Sequence, residues 1–271
     1  MQQWRRLLSR ELSLRRRWRP ATFAVVLVLG TLAFGVVKTQ NGVFRNNFDV
    51  FGQFLSSPLT LVFPLVVALL TCVPLYQELG DRFIVNTRSR IDLRLYVGVK
   101  LVSAALIAFA VFFFYVFATF AVAFLVWPAI GNPNVDPAVY NMSAADAVAD
   151  SLGSASYSSL LQFGPFAYGL TYALWVGILG AAYSAIGTAA LLLLSNRSLA
   201  LSVPFLIYLL ETVISALLGA PVLGLLYSAF PYGLTQTSVI VAAAPSLVLI
   251  AATAIMWFRL FPRLHQLDRL A

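Results

Sequence analysis

Long apolar runs, interrupted at intervals by short polar stretches, set the organisation of this chain. Six runs are long enough to cross a bilayer: about 21–37, 56–77, 98–127, 163–194, 199–218 and 238–258. A spanning helix needs about 20 largely apolar residues to cover roughly 30 Å of hydrocarbon. The runs are continuous, without the apolar/polar alternation of barrel strands, so they predict helices that satisfy their own backbones. The expected fold is an all-α integral membrane protein with six transmembrane helices, spanning 21–258.

The spans differ in character. The second contains Pro58, Pro64 and Pro74, which predicts a kinked or locally unwound helix. The third is thirty residues long, so it tilts or projects beyond the bilayer, with Trp127 near an interface. The fourth has Gly169, Ala173, Gly177 and Ala181 at every fourth position, a smooth stripe that another helix can approach closely. A four-residue connection, Ser195 to Ser198, turns the fifth span back antiparallel to the fourth. Between spans five and six, residues 219–237 are apolar but carry Gly219, Pro221, Gly224, Pro231 and Gly233. That density of breakers predicts a pair of short re-entrant or interfacial helices rather than another span.

The polar segments carry patterns of their own. Residues 1–20 hold seven arginines against one acid, and Trp4, Leu7, Leu8, Leu14 and Trp18 share a helical face. They predict an amphipathic interfacial helix with its arginines toward anionic lipid, against the alternative of a solvated basic tail; Pro20 marks the bend into the membrane. No A-x-A cleavage site follows the first span, so it reads as retained. Residues 38–55 are an outside connection, and 128–162 form the longest one. There Ser143 and Asp146 make a capping box, so about 143–152 forms a short helix. Residues 259–271 are a short tail.

Charge fixes the expected orientation. With 61% hydrophobic and 10% charged residues and a mean hydropathy of +0.87, the chain lies outside the range of soluble domains. The net charge of +8 follows the connections between spans, so it does not point to nucleic acid. With a cytoplasmic N-terminus, 16 of 18 basic residues fall inside, leaving only Lys38 and Arg45 outside. The positive-inside rule then places both termini in the cytoplasm.

Little in the chain supports chemistry of its own. His265, the only histidine, sits in the polar tail; Cys72, the only cysteine, lies mid-span as packing filler. No Asp, Glu, His or Cys cluster has metal-ligand spacing, and no GxxxxGK[ST] phosphate loop occurs. Glu211 is the one carboxylate inside a span: a proton site or partner for a cationic substrate, or an acid that pins the fifth helix by hydrogen bonds. Tyr168, Tyr172 and Trp175 fall at i, i+4 and i+7, where they line a path for an amphipathic substrate or pack in the core.

The stretch 78–100, ELGDRFIVNTRSRIDLRLYVGVK, stands apart from its neighbours. It places five basic residues and three acids between two apolar runs, and Phe83, Ile84, Thr87, Ile91 and Leu95 give it one apolar edge. Such a helix suits a membrane surface or a partner's groove. Here Tyr76-Gln-Glu78-Leu-Gly80-Asp-Arg82, then Thr87-Arg88-Ser-Arg90, then Tyr96-Val-Gly98-Val-Lys100, is similar to a pattern seen after the second span of one transporter family.

On those residues and on the order of parts along the whole chain, the protein resembles the permease (transmembrane) subunit of an ABC transporter of the ABC-2 type. The resemblance implies that 1–20 is the elbow helix and that 78–100 contains a cytoplasmic coupling helix docking on a separate ATPase subunit. On that basis the contacts are Glu78, Arg82, Phe83, Ile84 and Ile91, with Arg88 and Arg90 as an electrostatic rim. ATP and Mg would be bound by the partner, and this chain would not itself be an enzyme. A second permease copy, as homodimer or related heterodimer, would complete an exporter in a bacterial plasma membrane. Arg82-Phe-Ile-Val departs from the family's small and acidic residues at that point, which makes the docking surface particular to this chain. Two other functions compete: a membrane anchor or sensor that recruits a cytoplasmic partner, and an ion-coupled carrier using Glu211.

Overall fold

In hydrocarbon every backbone group must find its partner within the protein, and the chain meets this condition with helices of unequal length. The structure, a computed structural model, describes residues 2–15, 19–40, 42–81, 92–232 and 237–266. The helices are α1 (Gln2–Arg15), α2 (Arg19–Thr39), α3 (Asn47–Leu55), α4 (Pro58–Gly80), α5 (Leu93–Ala129), α6 (Ala144–Ser151), α7 (Pro165–Leu193), α8 (Arg197–Leu217), α9 (Leu225–Ala229) and α10 (Val239–Leu260). Among them α2, α4, α5, α7, α8 and α10 are long and apolar enough to cross a membrane. Short 3-10 turns occupy Pro137–Tyr140, Ser158–Phe163, Pro221–Leu223 and Phe261–Gln266. This is an all-α membrane protein with six candidate spans; among the described residues the only β pairing is a single bridge, Phe44 to Val135.

The helix α7 is central, with 72% of its apolar stretch buried against 11% for α2 at the periphery. It packs most extensively on α5, and also on α4, α8 and α10. The glycine stripe explains the closeness to α5. A Cβ at Gly169 would lie 2.5 Å from the Phe120 ring, and one at Gly177 would lie 3.1 Å from the Phe109 carbonyl oxygen. The turn into α8 is short because Asn196 caps it, accepting from the amides of Ser198 and Leu199.

Two prolines within spans, Pro64 and Pro128, leave carbonyls that neighbouring helices satisfy. Pro64 has no N–H for the carbonyl of Thr60 four residues back. The buried Tyr208 of α8 donates its hydroxyl to that carbonyl at 2.8 Å, fastening α8 to α4. In α5 the pattern recurs. The Trp127 amide bonds to the Val122 carbonyl, five residues back, within a π turn over Val122–Val126. Pro128 follows with no N–H, so the Ala123 carbonyl has no helical partner, and Asn47 Nδ2 donates to it at 2.9 Å. Threonines spend their hydroxyls on their own helices instead: Thr71, Thr119, Thr188 and Thr253 each donate to the carbonyl four residues back.

The region expected as the connection 38–55 contains α3, which is too short to give a spanning signal. Phe48, Phe51, Phe54 and Leu55 recur at three- and four-residue intervals and are at most 5% exposed. The Phe51 ring meets Phe120, Phe124, Tyr168, Tyr172 and Tyr232, mostly edge-on, at 6.0–6.2 Å. Asn46 caps α3 and donates to Ala147 and Ser151, while Arg45 pairs with Asp49 and with Asp150 of the 128–162 connection. The predicted capping box is present: Ser143 Oγ accepts from the Asp146 amide, and Asp146 Oδ2 accepts from the Ser143 amide, each at 3.2 Å.

Two outcomes follow from these contacts. Tyr208→Phe removes the donor to Thr60 and lowers stability by about 1–2 kcal/mol. Pro64→Ala returns an N–H to that carbonyl, so in its background the loss shrinks to a few tenths of a kcal/mol; unfolding in detergent of the four-member cycle measures both. The Ser143 hydroxyl and amide hold the Asp146 carboxyl below its ordinary value of 3.8. A depressed acid stabilises the fold above that value and loses the effect as pH falls through the folded one. Amide-exchange protection of α6 is expected to hold above pH 3.8 and fall below it, with the acid-dependent part absent in Asp146→Asn.

Candidate functional site

Lys100 organises the end of the bundle where α1 and the Phe261–Gln266 turn lie. Asp92 caps α5 by accepting from the Arg94 amide at 2.9 Å, so the helix begins at Leu93, ahead of the expected 98. Lys100 is therefore two turns inside it and only 6% exposed. An ammonium has three protons, and three carboxylate oxygens face this one. Nζ donates to both oxygens of Glu11 in α1 at 2.9 Å and to Glu78 Oε1 at the end of α4 at 2.5 Å. The second Glu78 oxygen accepts a short hydrogen bond from Tyr96 Oη, whose ring lies 5.4 Å from Nζ.

The 261–266 turn and the α7–α8 connection meet at the same place. Arg94 donates to the Pro262 carbonyl at 3.0 Å, and His265 lies 3.8 Å from Asp92, an exposed pair of little energetic weight. A Cβ at Gly80 would stand 2.9 Å from Arg197 Nη1, so the α7–α8 turn leans directly on the end of α4. Beneath them Leu75, Leu93, Val97, Leu192, Trp257 and Leu264 form a buried apolar cluster. The segment entered after Asp81 and left at Asp92 thus has both its feet tied to α1, to the tail and to the α7–α8 turn. Its own residues Arg82, Phe83, Ile84, Arg88, Arg90 and Ile91 lie outside the described residues, and so does the expected coupling helix.

At the distal end the other sequence candidates converge on α9. Glu211 Oε2 accepts from the Leu225 amide at 2.6 Å and Oε1 from Ser215 Oγ at 3.0 Å, so this carboxylate caps the start of α9. Tyr172 Oη donates to the Ala229 carbonyl at 2.7 Å, and Trp175 Nε1 donates to the Ser228 carbonyl at 3.1 Å. Tyr157 donates to that same carbonyl, and burial pushes its phenol up to about 12. Tyr168 and Tyr172 are each 1% exposed and stacked at 5.9 Å in the core around Phe51. The two short helical pieces expected in 219–237 are present as Pro221–Leu223 and α9.

The residue that sequence reasoning missed is Glu11. It is the lone acid of 1–20, and it sits on the half-buried face of α1 with Trp4, Leu7, Leu8 and Leu12, while Arg5, Arg6 and Arg10 are exposed. Spacing alone placed it on that face; its partner lies 89 residues away. Among the described residues no group of His, Cys, Asp and Glu side chains is arranged to hold a metal. No family model matches the chain, and neither a curated protein nor a solved structure matches it.

Removal of the ammonium leaves two carboxylates facing each other in a poorly hydrated site. Lys100→Met is expected to cost about 3–5 kcal/mol, as breaking one partner of a buried ion pair does. Adding Glu11→Gln and Glu78→Gln restores most of that loss, because the triple variant buries no charge there. Denaturation in mild detergent compares the three proteins.

Proposed function

We propose that this chain is the membrane subunit of an ATP-driven exporter of the ABC-2 type, moved by a separate ATPase that docks on the 78–100 loop. The observation that carries the reading is the Lys100 node: Glu78 at the end of one span and Lys100 at the start of the next are joined directly, and Glu11 couples both to α1. A load on the segment between them is passed to two long helices and an interfacial helix together. The 16-of-18 basic asymmetry supports a cytoplasmic position for this end. In this arrangement ATP and Mg belong to the partner, the working unit holds a second permease copy, and the exposed arginines of α1 face anionic lipid.

An ion-coupled carrier has weaker support, since both oxygens of Glu211 are engaged, Oε2 in capping α9 and Oε1 in accepting from Ser215 of its own helix. A pure anchor explains the docking segment but gives no reason to link it to two spans at once.

The reading is tested by purification from native membranes with endogenous partners. A nucleotide-binding protein is expected to accompany the wild-type chain and to fall to less than about a tenth with Arg88→Glu and Arg90→Glu together, two charge reversals at an interface rim. The reconstituted complex should hydrolyse ATP faster when transport substrate is supplied. Absence of such a protein, or its full retention by the double variant, overturns the coupling role.

A further inference from the structure

A cavity of about 460 Å³ lies where α5 and α7 reach the distal end of the bundle. Pro128, in the last turn of α5, and Pro165, the first residue of α7, stand on its wall, so it opens at the level where two spans leave the hydrocarbon. The helices α3 and α6 close its other sides, and Phe48, Phe124, Val148, Leu152 and Leu161 give it an apolar lining. A cleft of this size, mostly apolar with a few polar groups, has the usual form of a small-molecule site.

Its polar groups are all uncharged. Asn46 Nδ2 donates to Ser151 Oγ and to the Ala147 carbonyl, both at 2.7 Å, which fastens α6 across α3 and uses up these groups. Asn47 gives its protons to the Ala123 carbonyl and to Asn132 Oδ1, so it offers no donor. Gln162 is different: it is exposed and its side chain makes no hydrogen bond among the described residues, so its amide is able to donate and to accept. No Asp, Glu, Lys or Arg lines the cavity, and the charges nearby in sequence, Arg45, Asp49 and Asp150, are paired with one another. An ion entering here would be buried without a counter-charge. The walls therefore fit a molecule with a hydrocarbon body and an uncharged head that exchanges hydrogen bonds with an amide at the bilayer surface.

We propose that this cavity binds an uncharged amphiphile of the distal leaflet, a lipid with a hydroxyl head, with Gln162 as the hydrogen-bond partner of that head. The chain lies on the apolar lining between α3, α5 and α6. This assignment is independent of the ATPase partner and stands or falls separately from it.

Photolabelling of the full chain in phosphatidylcholine nanodiscs tests it. Three reagents share one diazirine-bearing hydrocarbon chain and end in an alcohol, a sulfate or a trimethylammonium group. Adducts are mapped to peptides and scaled to those in the apolar groove of Leu174, Ile178, Val239 and Ala243, which serves as a reference for contact with bulk lipid. The alcohol is expected to label the segments 148–152 and 161–165 about ten-fold more than either ion, since a charge there is buried without a partner. Excess unlabelled long-chain alcohol should displace it from these segments and leave the reference groove labelled. Gln162→Leu should weaken the labelling about five-fold, the scale of one hydrogen bond. Val148→Trp, which adds bulk to the α6 wall, should remove most of it. Equal labelling by the alcohol and an ion overturns the proposal. So does labelling that excess alcohol fails to displace, as contact with bulk lipid would give, and so does labelling undiminished in both variants.

Discussion

Hydrocarbon offers no partner to an unpaired carbonyl, and much of this bundle is arranged around that fact. Pro64 and Pro128 each leave a gap in a helical ladder, and each gap is closed from outside the helix, by Tyr208 and by Asn47. The breaks thereby become fastenings. Tyr208 ties α8 to α4, while Asn47 ties the start of α3 to the π turn of α5. In water a solvent molecule would fill either gap and neither cross-link would follow.

The same constraint explains why a five-residue helix persists between two spans. On its own α9 is far too short to be stable. Its first amides are taken by Glu211 and by Thr212 Oγ1, and its last carbonyls by Tyr157, Trp175 and Tyr172. Both ends are therefore closed by side chains from α7, α8 and the long connection. Ser228 Oγ donates to Ser246 of α10 at 2.7 Å, so the fragment also positions the last span. Irregular backbone is tolerated here because protein surrounds it.

Much of the fold was legible in the sequence, and the parts that were not share a cause. Long runs revealed six spans because hydropathy sums over about 20 residues, and Ser143 with Asp146 announced α6 because a cap is a local signal. By contrast α3 was hidden: nine residues give no span, and Arg45 and Asp49 at its start made it read as a connection. The start of α5 was hidden by Arg94, whose charge interrupts the apolar run although the helix continues through it. Glu78 and Lys100 stand out as parts of one charged stretch, but nothing local shows that they touch or that Glu11 completes the pair. Glu211, Tyr172 and Trp175 are conspicuous residues within spans, and their common target, α9, is a property of packing alone.

The two ends of the molecule hold together by different means, and the difference bears on how it would move. At the distal end edge-on rings around Phe51 pack beside fixed hydrogen bonds to α9 and the Arg45–Asp150 pair, a close-packed arrangement that tolerates little sliding. At the Lys100 end three helices meet on one ammonium, and an ion triad can exchange partners without opening a cavity. The helices α5 and α7 are locked along their length by Gly169 and Gly177, whereas α4 is joined to α7 through the Thr71–Ser184 hydroxyl contact at 2.9 Å and to α8 through Tyr208. On the proposed coupling role, a load applied between Asp81 and Asp92 would enter both sets at once, α4 with α8 on one side and α5 with α7 on the other. The seam between those sets is itself closely packed: Phe63 of α4 lies edge-on to Phe112 of α5 and Tyr183 of α7 at 4.7 and 5.6 Å, and Tyr183 lies edge-on to Tyr208 of α8 at 5.8 Å, so ring contacts and the Thr71–Ser184 hydroxyls together hold the two pairs of helices.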